Sequence, residues 1–311
     1  MGLALGLALL VKASDWFTEA AVRMGHRLGL PGFLIGVTIV ALGTSLPELI
    51  SSLVAVFRDA PEIVAGNVIG SNIANLLLVL GLIGVVSGHL RIAYNVLSVD
   101  LPFIAGSALF LGLVAWDGWI SRGDALLCLA GFVIYFSYAL TRQGGEEDIA
   151  ESEDGAETED PEASRLHPVI PLVGAGLLIY VGADLTIQSV IALAALIGLG
   201  TETIAASVVA LGTSLPEVAV TLAAVRRGRT ELAIGNILGS NIFNAFAVIG
   251  LTGLLGPLVV SPELIAFALP MMIVASFLTI VVIFEQELTK WEGWLLLLFY
   301  VFFLGSLFGL L

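Results

Sequence analysis

The sequence has little of the chemistry on which soluble enzymes depend. It contains one cysteine, Cys128, so a disulfide or a cysteine metal site within the chain is excluded. Its three histidines, His26, His89 and His167, lie between the apolar runs, where none is placed to relay protons at the middle of a membrane. The chain has no G-x-x-x-x-G-K-[ST] motif and no nucleophile standing with a base. We therefore expect neither a hydrolase nor an ATP-driven pump, and no enzyme of another kind.

Charge is also scarce. Only 12% of the 311 residues are charged, whereas 58% are hydrophobic, and the mean hydropathy is +1.05. A soluble fold of this size could not hide so much apolar surface, so the composition predicts an integral membrane protein in a lipid bilayer. The first segment lacks a basic flank and a cleavage site, which favours a retained helix over a signal peptide. Of the 26 acidic residues, ten lie between Glu146 and Glu162.

Apolar runs of roughly 20 residues predict an all-α membrane protein with ten transmembrane helices. The first five are expected near residues 2–24, 32–57, 62–87, 96–116 and 124–141, and the second five near 168–194, 201–225, 230–256, 262–285 and 290–310. Few large apolar residues occur between the two sets, so this acidic stretch is expected to be a solvated linker. The predicted organisation is a five-helix unit (1–141), a linker (142–167) and a second five-helix unit (168–311).

The second unit repeats the first. The octapeptide ALGTSLPE occurs at Ala41–Glu48 and again at Ala210–Glu217, and a shift of 169 positions also aligns Asn75 with Asn244 without a gap. Because each unit holds an odd number of spans, the second copy must enter the membrane with the opposite orientation. The sequence thus predicts two inverted-topology repeats.

Basic residues are distributed unevenly between the loops on the two sides. One side of the ten-span arrangement holds only Arg58 and Arg122. The other side holds Arg23, Arg27, Arg91, Arg142, Arg165, Arg226, Arg227, Arg229 and Lys290. Because lysine and arginine accumulate on the cytoplasmic side of short loops, we expect both termini outside the cell and the acidic linker in the cytoplasm. The expected location is the cell membrane.

Two glutamates are predicted near the middle of the membrane. Glu48 precedes Arg58 by ten residues, and Glu217 precedes Arg227 by the same number. Ten residues of helix span about 15 Å, half of the hydrocarbon thickness, so carboxylates from oppositely inserted halves should face each other. A carboxylate in lipid with no basic residue on its own helix face indicates an ion pathway. The adjacent prolines, Pro47 and Pro216, are expected to open the helix and expose backbone carbonyls.

Further oxygen donors share faces with these glutamates or follow on the next helix. They are Thr44, Ser45, Thr213 and Ser214 at i−4 and i−3 of the glutamates, and the i,i+4 pairs Ser71 with Asn75 and Ser240 with Asn244. Carboxylate, hydroxyl and amide oxygens suit hard cations such as Ca²⁺ and Na⁺. The nearby Gly66 with Gly70, and Gly235 with Gly239, fit either close helix packing or a functional role. Asp15 and Asp184 are left outside the site, because Lys12 stands one turn before Asp15 and could neutralise it.

With GTSLPE and GNxxGSN present in both halves, the chain resembles the sodium/calcium exchanger family of the cation/calcium antiporter superfamily, in its compact prokaryotic form. The resemblance implies ten helices in inverted repeats, with Glu48 and Glu217 binding Ca²⁺ and Na⁺ alternately. It further implies backbone oxygens of Ala41 and Ala210, and side chains of Ser71, Asn75 and Ser240, as ligands in the central or flanking sites. It also implies that the first and sixth helices slide as a gating pair.

One position departs from the family's pattern. Many relatives carry aspartate where this chain has Asn244, and an amide supplies neither a full charge nor a titrating proton. The departure leaves Ca²⁺ binding by two glutamates intact but bears on the ion ratio and the coupling ion.

The expected function is a secondary antiporter that exchanges Ca²⁺ for Na⁺ by alternating access. An H⁺-coupled Ca²⁺ or cation antiporter of the same fold stays open as an alternative, since buried glutamates also carry protons. A cation channel is the remaining alternative. We expect no cofactor beyond the transported ions, no nucleic acid and no protein partner, so that a monomer would suffice.

Overall fold

The computed structural model describes residues 2–27, 41–92, 94–142, 169–226, 228 and 230–311. The start of the predicted second helix, 32–40, and the acidic linker beyond Arg142 lie outside the described residues. The described part is mostly helical, and most of its helix ends fall within a few residues of those that the apolar runs predict.

The first half contains helices α1 to α7, one π-helical turn and two short strands. Their bounds are α1 Gly2–Arg27, α2 Ala41–Thr44, α3 Leu46–Phe57, α4 Glu62–Ile73, π1 Ala74–Val79, α5 Leu80–Ser87, β1 His89–Arg91, α6 Tyr94–Val114, β2 Trp119–Ile120 and α7 Arg122–Arg142.

The second half follows the same order with two additional π-helical turns. Its elements are α8 Val169–Ile197, α9 Thr201–Ile204, π2 Ala205–Val209, α10 Ala210–Thr213, α11 Leu215–Arg226, α12 Thr230–Phe243, π3 Asn244–Val248, α13 Ile249–Leu255, β3 Leu258–Val259, π4 Leu264–Ala268, α14 Leu269–Ile283, β4 Glu287–Thr289 and α15 Lys290–Leu307.

Within the described residues, six continuous helical segments are long and apolar enough to cross a membrane. They are Glu62–Ser87, Val173–Ile197, Thr201–Arg226, Ala233–Leu255, Leu264–Ile283 and Lys290–Leu307. Helix α1, which carries Lys12, Asp15 and Glu19, is not among them, and Leu46–Phe57 is apolar but shorter. The chain is therefore a multi-pass membrane protein in its architecture.

Two of these segments form the centre of the molecule. In Glu62–Ser87 and Ala233–Leu255, 83% of the residues in the apolar window are buried, against 22% in Lys290–Leu307. The central segments hold the two GNxxGSN motifs, whereas outer helices such as Lys290–Leu307 expose large apolar side chains, Trp291 and Leu298 among them. The polar motifs thus lie in the most buried helices of the described part.

Local signals set several helix ends. Gly88 ends α5 with a φ of 71°, a left-handed conformation that glycine adopts without strain. Helix α15 begins with a capping box, in which the Thr289 backbone N–H donates to Glu292 Oε2 at 2.7 Å and the Glu292 N–H donates to Thr289 Oγ1 at 3.4 Å.

Two antiparallel ladders, which the apolar pattern does not predict, join the halves at their ends. Strand β1 pairs with β4 through Leu90 and Leu288, and β2 pairs with β3 through Trp119 and Val259. Shifting Leu90 forward and Leu288 back by 169 positions gives the pair Val259 and Trp119. The register of one ladder is therefore reproduced in the other when the two halves are exchanged.

Glycines permit close helix contact at the centre. A Cβ on Gly66 would collide with the backbone carbonyl of Glu202, and one on Gly70 would collide with the backbone of Ala206. The close-packing role that the sequence allows for these two glycines is therefore present in the structure. Helix α4 of the first half lies directly against π2 and α9 of the second.

We expect Gly70→Ala to lower the free energy of unfolding by about 1–3 kcal/mol, because the added methyl overpacks a backbone contact. The measurement is the temperature at which the buried thiol of Cys128 becomes reactive during heating in detergent. The control is Gly106→Ala, at an exposed position where no described residue lies within 4 Å of the added Cβ. Equal transition temperatures for the two variants would contradict the close contact.

Candidate functional site

The second helix of each half is interrupted at a serine. Ser45 separates α2 from α3 with φ −90° and ψ 7°, and Ser214 separates α10 from α11 with φ −81° and ψ 4°. Each interruption lies two residues before a proline, Pro47 or Pro216, whose missing N–H removes a bond from the helix. The break occurs in the segment that the repeated motif predicts.

The two glutamates occupy the first turn after the interruptions and are completely buried, with no exposed surface. Ser45 Oγ donates to Glu217 Oε1 at 3.2 Å, and Ser214 Oγ donates to Glu48 Oε1 at 3.3 Å. Each serine thus binds the carboxylate of the opposite half. These reciprocal bonds bring both predicted glutamates into one cluster at the interface between the halves.

The predicted threonines and the serines of the third helices belong to the same cluster. Ser45 Oγ also lies 3.0 Å from Ser240 Oγ, and Ser240 Oγ donates to Glu217 Oε1 at 3.4 Å. Ser71 Oγ lies 3.5 Å from Thr213 Oγ1 and donates to the carbonyl of Ala210 at 3.5 Å. The structure thus gathers hydroxyls from four helical segments around two carboxylates.

Two predicted residues, Ala41 and Thr44, are the ends of the short helix α2. Thr44 Oγ1 donates to Asn236 Oδ1 at 3.3 Å, so its proton points toward the third helix of the other half. Ala41 begins α2, with its backbone one turn before the interruption. Its equivalent Ala210 begins α10, and the Ala210 carbonyl accepts bonds from two hydroxyls.

Several buried polar atoms of this cluster have no hydrogen-bond partner within the described residues. They are Glu48 Oε2, Glu217 Oε2 and both amide atoms of Asn75 and Asn244. Buried polar atoms are nearly always partnered, because an unpaired group costs about 1–3 kcal/mol. The unpaired oxygens of this set are therefore available to a bound cation.

Both asparagines lie in π-helical turns. Asn75 is the second residue of π1, and Asn244 is the first residue of π3. A π-helical turn inserts a residue into the α-helical ladder and occurs often at functional sites. The two asparagines thus stand in equivalent turns, and both side chains are completely buried.

Two further residues, Asn67 and Asn236, belong to the cluster and are absent from the predicted set. Asn67 Nδ2 donates to Ser51 Oγ and Ser52 Oγ, both at 3.2 Å, while Asn67 Oδ1 accepts from Thr213 Oγ1 at 3.4 Å. Asn236 Nδ2 donates to Thr221 Oγ1 at 3.2 Å. The sequence does carry a signal, because each asparagine precedes a predicted serine by four residues.

The charges of the site are uncompensated by protein. Among the described residues, no lysine, arginine or histidine lies within 4.0 Å of either buried carboxylate, and no cluster of three or more histidines, cysteines or acidic residues exists. Two like charges away from water need an opposite charge, which in this site only a bound cation or a proton can supply. The donor set, all oxygen, suits Ca²⁺ and Na⁺.

Asp15 and Asp184 lie apart from this cluster, as the sequence predicts. Lys12 Nζ is 3.8 Å from Asp15 Oδ2 within α1, which agrees with the neutralising role expected of Lys12. Asp184 instead contacts Arg58, at the end of α3.

Comparison with known proteins gives consistent results. Residues 1–141 and 167–309 match the sequence profile described as sodium/calcium exchanger protein. The chain is 34% identical to the sodium/calcium exchanger MaX1 of Methanosarcina acetivorans, in a match that covers 98% of this chain and 97% of that protein. It is 35% identical to the inner membrane protein YrbG of Escherichia coli, over 84% of this chain and 81% of that one.

The fold is similar to solved structures of the sodium-calcium exchanger NCX_Mj. In the form soaked with 2.5 mM Na⁺ and 0.1 mM Ca²⁺, the TM-score is 0.67 at 28% sequence identity, and the match covers 98% of this chain and 97% of that chain. The resemblance found in the paired motifs is thus confirmed across both halves. The chain belongs to the sodium/calcium exchanger protein family.

Proposed function

We propose that this protein is a secondary antiporter that exchanges Ca²⁺ for Na⁺ across the membrane by alternating access to the buried cluster. The observation that carries the proposal is the pair of fully buried carboxylates, one from each half, each bonded by a serine of the other half and each with an unpartnered second oxygen. Family membership and the Na⁺ and Ca²⁺ named for its relatives support the same conclusion.

Charge balance accounts for the exchange. Two ionised glutamates carry a charge of −2, which one Ca²⁺ or two Na⁺ neutralises equally. Because Asn244 is an amide, it adds no third charge to this cluster. Ca²⁺ and Na⁺ then compete for one set of oxygens, and release of one permits binding of the other.

The proposed ligands are the twelve residues predicted from the sequence and from the family resemblance. They are Glu48, Glu217, Thr44, Ser45, Thr213, Ser214, Asn75, Asn244, Ser71, Ser240, Ala41 and Ala210. We add Asn67 and Asn236 as positioning residues. Each places its amide oxygen within hydrogen-bond distance of the threonine hydroxyl of the opposite half, at 3.4 Å for Asn67 and 3.3 Å for Asn236, and so helps to orient that hydroxyl.

The proposed architecture is ten transmembrane helices in two inverted five-helix repeats, 1–141 and 168–311, joined by the linker 142–167. The equivalent ladder registers, the equivalent interruptions at Ser45 and Ser214, and the reciprocal bonds of the site support a two-fold relation between the halves. The excess of basic residues on one side supports termini outside the cell membrane and a cytoplasmic linker. A monomer without a cofactor suffices for the exchange.

We expect Glu48→Gln and Glu217→Gln each to reduce Ca²⁺ transport by at least about 100-fold, because affinity at oxygen-ligand sites follows the number of ligand charges. Transport is measured as ⁴⁵Ca²⁺ uptake into proteoliposomes loaded with Na⁺. The matched control is Glu263→Gln, which removes an exposed carboxylate outside the cluster.

Both glutamine variants should still insert into the membrane and unfold at the wild-type temperature, because an amide fills nearly the same volume. Wild-type uptake in both variants would remove the cluster from the transport pathway.

The coupling ion is tested with opposed gradients. An outward Na⁺ gradient should drive Ca²⁺ uptake in proteoliposomes when an ionophore holds the pH equal on the two sides. Uptake that follows a proton gradient and ignores Na⁺ would establish the H⁺-coupled alternative. Ca²⁺ flux that needs no counter-ion and follows voltage would establish a channel.

We expect Asn236→Ala to raise the KM for transported ions about 10-fold, as loss of a second layer of support around ligands commonly does. The physical reason is that the Thr44 hydroxyl loses the Asn236 amide oxygen, one of the groups that orient it. Vmax per folded molecule should change little. A variant with unchanged KM and a lower amount of folded protein would show that Asn236 acts in packing alone.

A further inference from the structure

Helices α1 and α8 form a closely packed pair. A Cβ on Gly182 would lie 2.7 Å from the backbone nitrogen of Leu10, and one on Gly6 would lie 2.8 Å from that of Thr186. The backbones therefore touch without side chains between them, as at small-residue crossings in membranes. The shift of 169 residues makes these two helices equivalent members of the repeats.

An ion pair joins this helix pair to the segment that carries Glu48. Arg58 caps the end of α3, and its Nε and Nη2 atoms lie 2.7 and 2.6 Å from Asp184 Oδ1. The other oxygen, Asp184 Oδ2, accepts from Gln188 Nε2 at 2.7 Å. Both oxygens of Asp184 are thus bonded, and its side chain retains 20% exposure.

This ion pair is a charge-assisted contact between the helix pair and the rest of the protein. Elsewhere the contact is apolar, as where Gly212 faces the side chain of Leu7. Apolar surfaces tolerate displacement along a helix axis, whereas charge-assisted bonds require one geometry. The ion pair therefore selects one position of α1 and α8 relative to α3.

The equivalent aspartate has different surroundings. Asp15 contacts Lys12 on its own helix at 3.8 Å and keeps 45% of its side chain exposed. Two residues that the repeat makes equivalent therefore differ in burial, while Arg227, the equivalent of Arg58, lies outside the described residues. Alternating access in inverted repeats moves one bundle against the other around a fixed site. Such a movement would separate Asp184 from Arg58, because charge-assisted bonds require one geometry.

We propose that the Arg58–Asp184 ion pair is formed in one access state and broken in the other, so that it holds the α1–α8 pair at one end of its movement. The proposal rests on the antiport function proposed above. Arg58 follows Glu48 by ten residues of α3, about 15 Å along the helix, so the ion pair connects the α1–α8 pair directly to a segment of the proposed site.

Cross-linking tests the proposal in the full-length protein. The variant carries Arg58→Cys and Asp184→Cys in a Cys128→Ala background, and a short bifunctional thiosulfonate joins the two thiols. We expect cross-linking to lower ⁴⁵Ca²⁺ uptake at least about 10-fold, and reduction to restore it, because a fixed contact removes one access state.

The matched control joins two helices that should move as one body. A Cβ on Gly2 would lie 2.7 Å from Ser189 Oγ, so Gly2→Cys with Ser189→Cys places two thiols across the α1–α8 contact. Cross-linking this pair should leave uptake unchanged. Loss of uptake in the control would overturn the single-body movement of α1 and α8.

Uptake that survives complete cross-linking of the first pair would overturn the proposal. It would show that Arg58 and Asp184 stay in contact in both access states. Uptake of the uncross-linked protein is recorded first under sodium and proton gradients. If the uncross-linked protein takes up no Ca²⁺ under either gradient, the proposed antiport is contradicted. If uptake is present and persists after cross-linking, only the state-specific ion pair is contradicted.

Discussion

The structure depends on the burial of two carboxylates that no basic side chain of the described residues neutralises. Glu48 and Glu217 have no exposed surface, and their mutual repulsion is strong because little water screens it. Such a pair is tolerable only with bound cations or protons. The hydroxyl-rich surroundings and the interrupted helices supply the oxygens that the proposed cation would contact.

Reciprocal bonding makes the two halves one chemical unit. Ser45 binds the carboxylate of the second half, and Ser214 binds that of the first. A cation that draws either glutamate toward itself therefore acts on both halves at once. This arrangement would couple ion binding at the site to the relative position of the two halves. Such coupling is what the proposed exchange requires and what a leak lacks.

The molecule has a closely packed centre and a peripheral pair of helices. The centre is held by backbone contacts at glycines such as Gly70 and by ladders at its ends. Helices α1 and α8 meet that centre at apolar contacts such as Leu7 against Gly212 and at the Arg58–Asp184 ion pair. The movement proposed for α1 and α8 crosses this boundary, where the ion pair requires one geometry.

Most of the fold was predictable from the sequence, since helix ends follow apolar runs and their breakers within a few residues. The meeting of Glu48 and Glu217 was predictable as well, because they stand at equivalent positions of the two halves. Asn67 and Asn236 were missed although each stands four residues before a predicted serine, because this spacing does not show the contact with a threonine of the opposite half.

The sequence by itself determined which residues are equivalent, through a repeat of 169 positions. Only the tertiary structure decided that Asp184 bonds Arg58 of another helix and keeps 20% of its side chain exposed, while Asp15 keeps 45%. The reason is that one conformation of a molecule built from two equivalent halves need not be symmetric, and the sequence is the same in every conformation.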